Sequence, residues 1–226
     1  MGKEVISDMV GGETVIMRNF HAILFDFDGV LGKTMEDNFL AWVHAFSGYG
    51  LFINKEAYFL IEGFNARRVA EHFLGQRAEE AGVVDELIRL KEKFYMENCT
   101  FSFYEGVVAV IEGLRKKGYR LGLVSGANSK RLRRSVGDGF LSHFDVVVTG
   151  DRVENCKPHP EPYLRAAAAL SAAPSECMVV ENAPMGIESA KSAGMFCIAI
   201  ASTLDKKHLK KADRVIERFN ELEGIL

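Results

Sequence analysis

The stretch at 22–30, Ala-Ile-Leu-Phe-Asp-Phe-Asp-Gly-Val, constrains the fold more than any other part of the chain. Its first four residues are apolar and suit a strand buried on both faces, the pattern of a parallel sheet covered by helices. The strand runs directly into Asp26 and Asp28, which are separated by Phe27 and followed by Gly29. A carboxylate is costly in a dry interior. The pair is therefore expected where the strand ends, on the edge of an open α/β sheet that usually receives ligands. Two carboxylates there match the oxygen preference of Mg²⁺, and one can act as a nucleophile while the other moves protons. A turn or helix cap is the competing reading of the same residues, and the rest of the chain has to choose.

Beyond residue 100 the pattern alternates. Strands are expected near 119–124, 145–149, 177–180 and 195–200, with helices near 106–117, 128–137, 160–170 and 184–193. This βα alternation predicts a Rossmann-like, doubly wound parallel sheet. In the helix near 106–117, Val107, Val108, Ile111 and Leu114 read as the inner face. The segment 212–216 reads as an edge strand and 218–223 as a closing helix.

Residues 33–99 contain no run of buried parallel strands and read as a helical insertion after the first strand. Thr34 and Asp37 resemble a capping box at its start. Further helices are expected near 54–61, 65–75 and 79–97, the last with Val84, Leu87, Lys91 and Phe94 on one side. The aromatics of the insertion read as its own core. The chain thus divides into an N-terminal extension (1–20), a core (21–32 and 100–226) and a helical cap (33–99). Within the extension, Gly11-Gly12 reads as a turn and 14–17 as a short strand, with no function assigned.

The other strand ends are also polar. The strand near 119–124 leads to Ser125-Gly126-Ala127-Asn128 at a helix start, where a hydroxyl and free N–H groups can cradle a phosphate. Equally, Ser125 or Asn128 can simply cap the helix. Lys157, set among prolines in Lys157-Pro158-His159-Pro160, supplies a compact positive charge for phosphoryl oxygens or nearby carboxylates, or is a surface lysine beside a turn. The strand near 177–180 delivers Glu181-Asn182 to the same edge. Glu181 would complete an acidic cluster with Asp26 and Asp28 that is costly without a cation.

Together, Asp26-Phe27-Asp28-Gly29, Val124-Ser125-Gly126, Lys157-Pro158-His159-Pro160 and Val180-Glu181-Asn182-Ala183-Pro184-Met185-Gly186 resemble the haloacid dehalogenase-like hydrolase superfamily, in the branch with a small helical cap after the first strand. The resemblance covers roughly residues 20–220. It implies that Asp26 is the nucleophile forming an aspartyl-phosphate. Asp28 would protonate the leaving oxygen and then activate water. Ser125 and the Gly126 N–H would bind phosphoryl oxygens, Lys157 would orient Asp26, and Asp26, Asp28, Glu181 and Asn182 would surround Mg²⁺. Asn182 departs from the family's commoner second acidic residue, so its oxygen can ligate but adds no charge.

Within that resemblance the expected activity is hydrolysis of a small phosphomonoester. A β-phosphoglucomutase-like mutase is the first alternative, and a non-catalytic protein that binds phosphometabolites is the second. The mutases carry a histidine ten residues beyond the acid/base Asp, where this chain has Asn38, and an arginine where it has Ala66. Arg67 and Arg68 follow at once and are candidate substrate contacts from the cap. A formal charge of −3 with no long basic run gives no nucleic-acid footprint, and no 18-residue apolar span marks a membrane segment. The four cysteines show neither a disulfide framework nor zinc spacing. The chain is expected in the cytoplasm, as a monomer or weak dimer, with a small phosphoester as its partner.

Overall fold

The computed structural model describes residues 20–226 and, ahead of them, the backbone of two strands. These are β1 (Ser7–Val10) and β2 (Glu13–Ile16), which pair antiparallel with each other. The strand expected at 14–17 is thus present as β2 as far as Ile16, while the proposed turn at Gly11-Gly12 and Met17 lie outside the described residues.

The main sheet has six strands: β3 (Ala22–Phe25), β4 (Arg120–Ser125), β5 (Val146–Thr149), β6 (Cys177–Glu181), β7 (Phe196–Ile200) and β8 (Arg214–Ile216). Their order is β5-β4-β3-β6-β7-β8, and every pair is parallel. β3 therefore lies at the centre, and its residues are fully buried. Because side chains alternate along a strand, Ile23 and Phe25 join one core while Ala22 and Leu24 join another.

Helices cover both faces. On the first pack α5 (Val107–Lys116) and α6 (Ser129–Leu141), and on the second α7 (Glu161–Ala169) and α8 (Pro184–Ser192). α5 turns Val107, Val110, Ile111 and Leu114 inward, whereas Val108 is 40% exposed. The inner face thus includes Val110 rather than Val108, because an i, i+3, i+4, i+7 stripe holds one side of a 3.6-residue helix. Each such side chain contributes about 2 kcal/mol through burial. α6 continues past 137, although Gly137 has a non-helical backbone (φ 70°). The expected closing helix is a 3₁₀ segment at Phe219–Gly224.

Between β3 and α5 the chain forms α1 (Met35–Ser47), α2 (Lys55–Leu60), α3 (Ala66–Leu74) and α4 (Val83–Asn98). Trp42, Phe46, Tyr58, Phe59, Val69 and Leu87 form a third apolar cluster that belongs almost wholly to these helices. On α4 the inward stripe runs Val84, Leu87, Lys91, Tyr95, so Tyr95 rather than Phe94 is buried. Asn54 and Asn65 cap α2 and α3 by accepting from Ala57 N and Arg68 N.

The capping box expected at Thr34 and Asp37 does not form. Thr34 makes no side-chain cap, and Asp37 instead accepts from Thr100 N and the Cys99 thiol. The Thr34 hydroxyl is committed to Asp28, because a buried carboxylate is the stronger acceptor.

Candidate active site

β3, β4 and β6 end side by side, and their terminal residues converge. Asp26 still belongs to the ladder, since its N–H donates to Val180 O. Its carboxylate is the first polar group past the buried strand. Lys157 Nζ reaches it from the loop before α7, at 2.6 Å from Asp26 Oδ1 and 2.6 Å from Glu181 Oε1. Tyr163 of α7 donates to the same Glu181 oxygen at 2.6 Å, and the Asn182 N–H donates to Glu181 Oε2 at 3.0 Å. Glu181 is thereby occupied on both oxygens and faces Lys157. A Cβ at Gly186 would lie 1.8 Å from that carboxylate, so only glycine at the start of α8 leaves room for it.

Asp28 points the other way, toward the inserted helices. Its Oδ1 accepts from Thr34 Oγ1 at 2.5 Å and from Asn38 Nδ2 at 3.0 Å; its Oδ2 lies 3.5 Å from Ser125 Oγ and 3.4 Å from Arg131 Nη2. The two carboxylates of the Asp-x-Asp pair therefore have separate surroundings. β3 ends at Phe25 and the chain turns at Phe27, whose carbonyl accepts from the Leu31 and Gly32 N–H groups. The i, i+2 rule of a strand, which would put both on one side, no longer applies. Asp26 answers to Lys157, Asp28 to the insertion.

The alternatives at the β4 end are now distinguished. Asn128 caps α6 by accepting from Arg131 N at 2.8 Å, while Ser125 Oγ accepts from Ala127 N and faces Asp28. Ser125 is buried and lies beside Gly126, against which the insertion closes. A Cβ on Gly126 would stand 3.1 Å from Phe64 O, and Gly63, at φ +105°, would contact Lys157 in the same way. Glycine at both points lets the loop between α2 and α3 rest on the strand ends.

Lys157, Arg131 and Lys91 meet here with the carboxylates of Asp26, Asp28 and Glu181, and with Glu62 and Glu92 at the side of the insertion. Burial raises the pKa of Asp26, with Glu181 and Asp28 adding to the shift and Lys157 opposing it. The two carboxylates at 2.6 Å hold Lys157 above the ordinary lysine range despite burial. Burial and the nearby Arg131 push Lys91 down to about 8. An additional cation fits this set on one structural ground: Asn182 Oδ1 is buried with no hydrogen-bond partner, while its Nδ2 donates to Thr203. A bare amide oxygen suits a hard divalent ion. Among the described residues no three His, Cys, Asp or Glu side chains converge as a metal-binding group, and the amide is a further oxygen donor beside the two carboxylates of the Asp-x-Asp pair.

Besides Tyr163 and Thr34, the residues of the site not singled out from the sequence as functional include Arg131, Lys91 and Glu62. Arg131 sits in Lys130-Arg131-Leu132-Arg133-Arg134, which reads as an exposed basic helix, yet its side chain is 11% exposed. It also donates to Asn38 Oδ1. Lys91 carried a signal, being the one charge on the apolar stripe of α4; it is buried and donates to Asn38 Oδ1 at 2.8 Å. Glu62, beside Gly63, carried none. Of the candidate cap arginines, Arg67 lines the cavity above Gly126 but pairs with Asp85, and Arg68 lies over the Phe64 ring, 4.7 Å from its centroid.

Comparison with known proteins follows the same residues. A family model described as haloacid dehalogenase-like hydrolase matches residues 23–200. Hexitol phosphatase A of Escherichia coli (strain K12) is 31% identical over 199 residues, covering 88% of this chain and 91% of that protein. Validoxylamine A 7'-phosphate phosphatase of Streptomyces hygroscopicus subsp. limoneus is 30% identical over 207 residues, covering 90% and 96%. The crystal structure of a β-phosphoglucomutase from Clostridium difficile superposes with a TM-score of 0.81 at 24% identity, covering 91% of this chain and 95% of that one. That last likeness is one of fold.

Proposed function

The chain belongs to the haloacid dehalogenase-like hydrolase family, and on that premise we propose that it is a Mg²⁺-dependent phosphatase acting on a small phosphomonoester through an aspartyl-phosphate. The observation that carries this reading is the division of labour at the strand ends. Asp26 is held by Lys157 at 2.6 Å, while Asp28, two residues on, is held by Thr34 and Asn38 on the side where a leaving group would lie.

In this reading Asp26 attacks phosphorus in line and the bond to the leaving oxygen breaks. Asp28 gives that oxygen a proton. It then takes a proton from the water that attacks the aspartyl-phosphate, which frees inorganic phosphate and restores Asp26. Ser125 and the Gly126 N–H face the equatorial oxygens, where fixed donors stabilise the charge of the transition state. Lys157 positions the Asp26 carboxylate and offsets its charge, and Glu181 with Tyr163 positions Lys157. Asp26, Asn182 Oδ1 and Asp28 would hold Mg²⁺, and Glu181 would act on the metal site from behind Lys157. When bound, the ion neutralises phosphoryl charge. Residues 33–99 would serve as a cap that excludes water from these charges.

Hydrolysis is favoured over mutase chemistry by Asn38. Its amide contacts Asp28 at 3.0 Å but cannot titrate, so it cannot relay a proton as histidine would. The test is phosphate release from p-nitrophenyl phosphate. EDTA should abolish it and Mg²⁺ restore it, and Asp26→Asn should lower turnover by about 10³-fold or more with an unchanged circular dichroism spectrum. Undiminished turnover by pure Asp26→Asn protein would overturn the assignment.

A further inference from the structure

Above Gly126 lies a cavity of about 240 Å³ between the inserted helices and α6. Trp42, Tyr58, Glu62, Lys91 and Arg131 line it, with Asn38 linking it to Asp28. On the phosphatase reading above, this is where the leaving group sits once the phosphoryl group reaches Asp26 and Ser125.

The cations around the cavity are already committed. Lys91 pairs with Glu92 at 3.0 Å and donates to Asn38. Arg131 pairs with Asp28 at 3.4 Å and also donates to Asn38. Arg67 pairs with Asp85 and lies 4.0 Å from Glu71. The carboxylate of Glu62 is different. It has a hydrogen bond with Tyr58, and no ion pair of Glu62 occurs among the described residues. Burial is the main influence on it and Asp28 adds repulsion; Arg131, Tyr58 and Lys91 oppose them, and the balance leaves its pKa raised to about 7.

The cavity therefore offers a carboxylate that has no ion pair among the described residues, several amides and an indole face. Each of its cations is already paired with another carboxylate. A leaving group bearing a carboxylate or a second phosphate would meet repulsion from Glu62, and would have to draw Lys91, Arg131 or Arg67 away from the carboxylates they already pair with. A hydroxylated, uncharged one would give the half-buried Glu62 carboxylate O–H donors in addition to Tyr58. We infer that the leaving group is an uncharged polyol or sugar, and that Glu62 is the specificity-determining residue that accepts its hydroxyls. Trp42 would cover the apolar C–H face of such a molecule.

The experiment compares sorbitol 6-phosphate and glucose 6-phosphate with phosphoglycolate, pyrophosphate and p-nitrophenyl phosphate. The better of the two hydroxylated substrates should exceed both phosphoglycolate and pyrophosphate in kcat/KM by about tenfold or more. Glu62→Gln should lower the ratio of hydroxylated to aryl substrate by about tenfold, carried by KM, and Glu62→Lys should shift preference toward phosphoglycolate. Equal or better use of phosphoglycolate or pyrophosphate by the wild-type protein overturns the inference. So does a loss in Glu62→Gln that is the same for every substrate, which would indicate a structural role. If p-nitrophenyl phosphate is turned over and depends on Asp26, such failure leaves the phosphatase reading intact. If nothing is turned over, that reading fails by itself. Calorimetry with Asp26→Asn protein then decides the cavity: tighter binding of sorbitol 6-phosphate than of phosphoglycolate supports the inference, and the reverse order overturns it.

Discussion

The sheet and the inserted helices each bury one lysine almost completely, Lys157 at 2% exposure and Lys91 at 1%, and they treat it in opposite ways. Lys157 stands between two carboxylates at 2.6 Å, so its charge is favoured in spite of burial. Lys91 has one carboxylate, Glu92, together with the neutral Asn38 oxygen, and it shares its surroundings with Arg131. Burial is similar in the two places; the neighbours decide the sign. The core lysine is locked into its charged form. The lysine of the insertion is poised to lose its proton about 8.

Lys157→Met should produce the largest effect. It leaves Asp26 and Glu181 facing each other in a dry site, which costs about 3–5 kcal/mol of stability and should lower turnover by about 10³-fold. Urea denaturation and phosphate release measure the two effects. Wild-type stability in this variant would break the comparison, because it would mean that the ion pair is not what sets Lys157 apart.

Lys91→Met should do far less, within about 1–2 kcal/mol at pH 7 and in the stabilising direction, because a well-packed apolar chain replaces a charge that costs desolvation. Its pH signature is sharper. A lysine at about 8 in the folded protein and 10.5 in the unfolded chain binds fewer protons when folded between those values. Wild-type stability should therefore rise with pH through that window relative to the Met variant, by about 1–3 kcal/mol. Parallel stability curves would show that Lys91 is as favourably charged as Lys157.

Glu62 extends the comparison to acid. Its pKa is raised from 4.5 to about 7, so the folded protein holds the proton longer. This contribution is fully present below about pH 4.5 and is lost as pH rises to about 7. Over that range wild-type stability should fall relative to Glu62→Gln by about 1–2 kcal/mol. Denaturation midpoints at pH 5 and 8 test the sign. A difference in the opposite direction would place Glu62 with a cation after all.

The smallest effect is expected at the edge of the core site. Asn182→Asp adds a carboxylate where a bare buried oxygen already lies, and should tighten Mg²⁺ by about 1 kcal/mol, roughly fivefold to tenfold in Kd. A metal titration of both proteins reads it. Unchanged or weaker binding would mean that repulsion from Asp26 and Glu181 cancels the gain, so that the balance struck by Lys157 leaves no space for another charge.

Much of this architecture was legible before folding. Four apolar residues ending in Asp26, and similar endings at Ser125 and Glu181, report strands whose polar tips must share one edge, since burial forbids any other place. The placement of Lys157 was less certain, because a lysine beside prolines is equally at home on a surface; contact with residues 131 and 24 positions away settled it. Thr34 misled for a related reason. Its spacing to Asp37 describes a local cap, but a buried acceptor six residues back competed for the same hydroxyl. Val108 and Phe94 show the weaker limit of periodicity, which finds a helix more reliably than the last residue of its buried face.

Local chemistry in the sequence by itself determined the parallel sheet, the helical insertion and the family, because apolar runs, helix periods and strand-end motifs are properties of neighbouring residues. Only the tertiary structure decided which charges are buried and which partners they keep. Arg131 and Lys91, from two helices far apart in the chain, meet at Asn38, and Glu62 faces their cavity without an ion pair of its own among the described residues. Desolvation and Coulomb interaction depend on distance in space, and no sequence pattern encodes that distance directly.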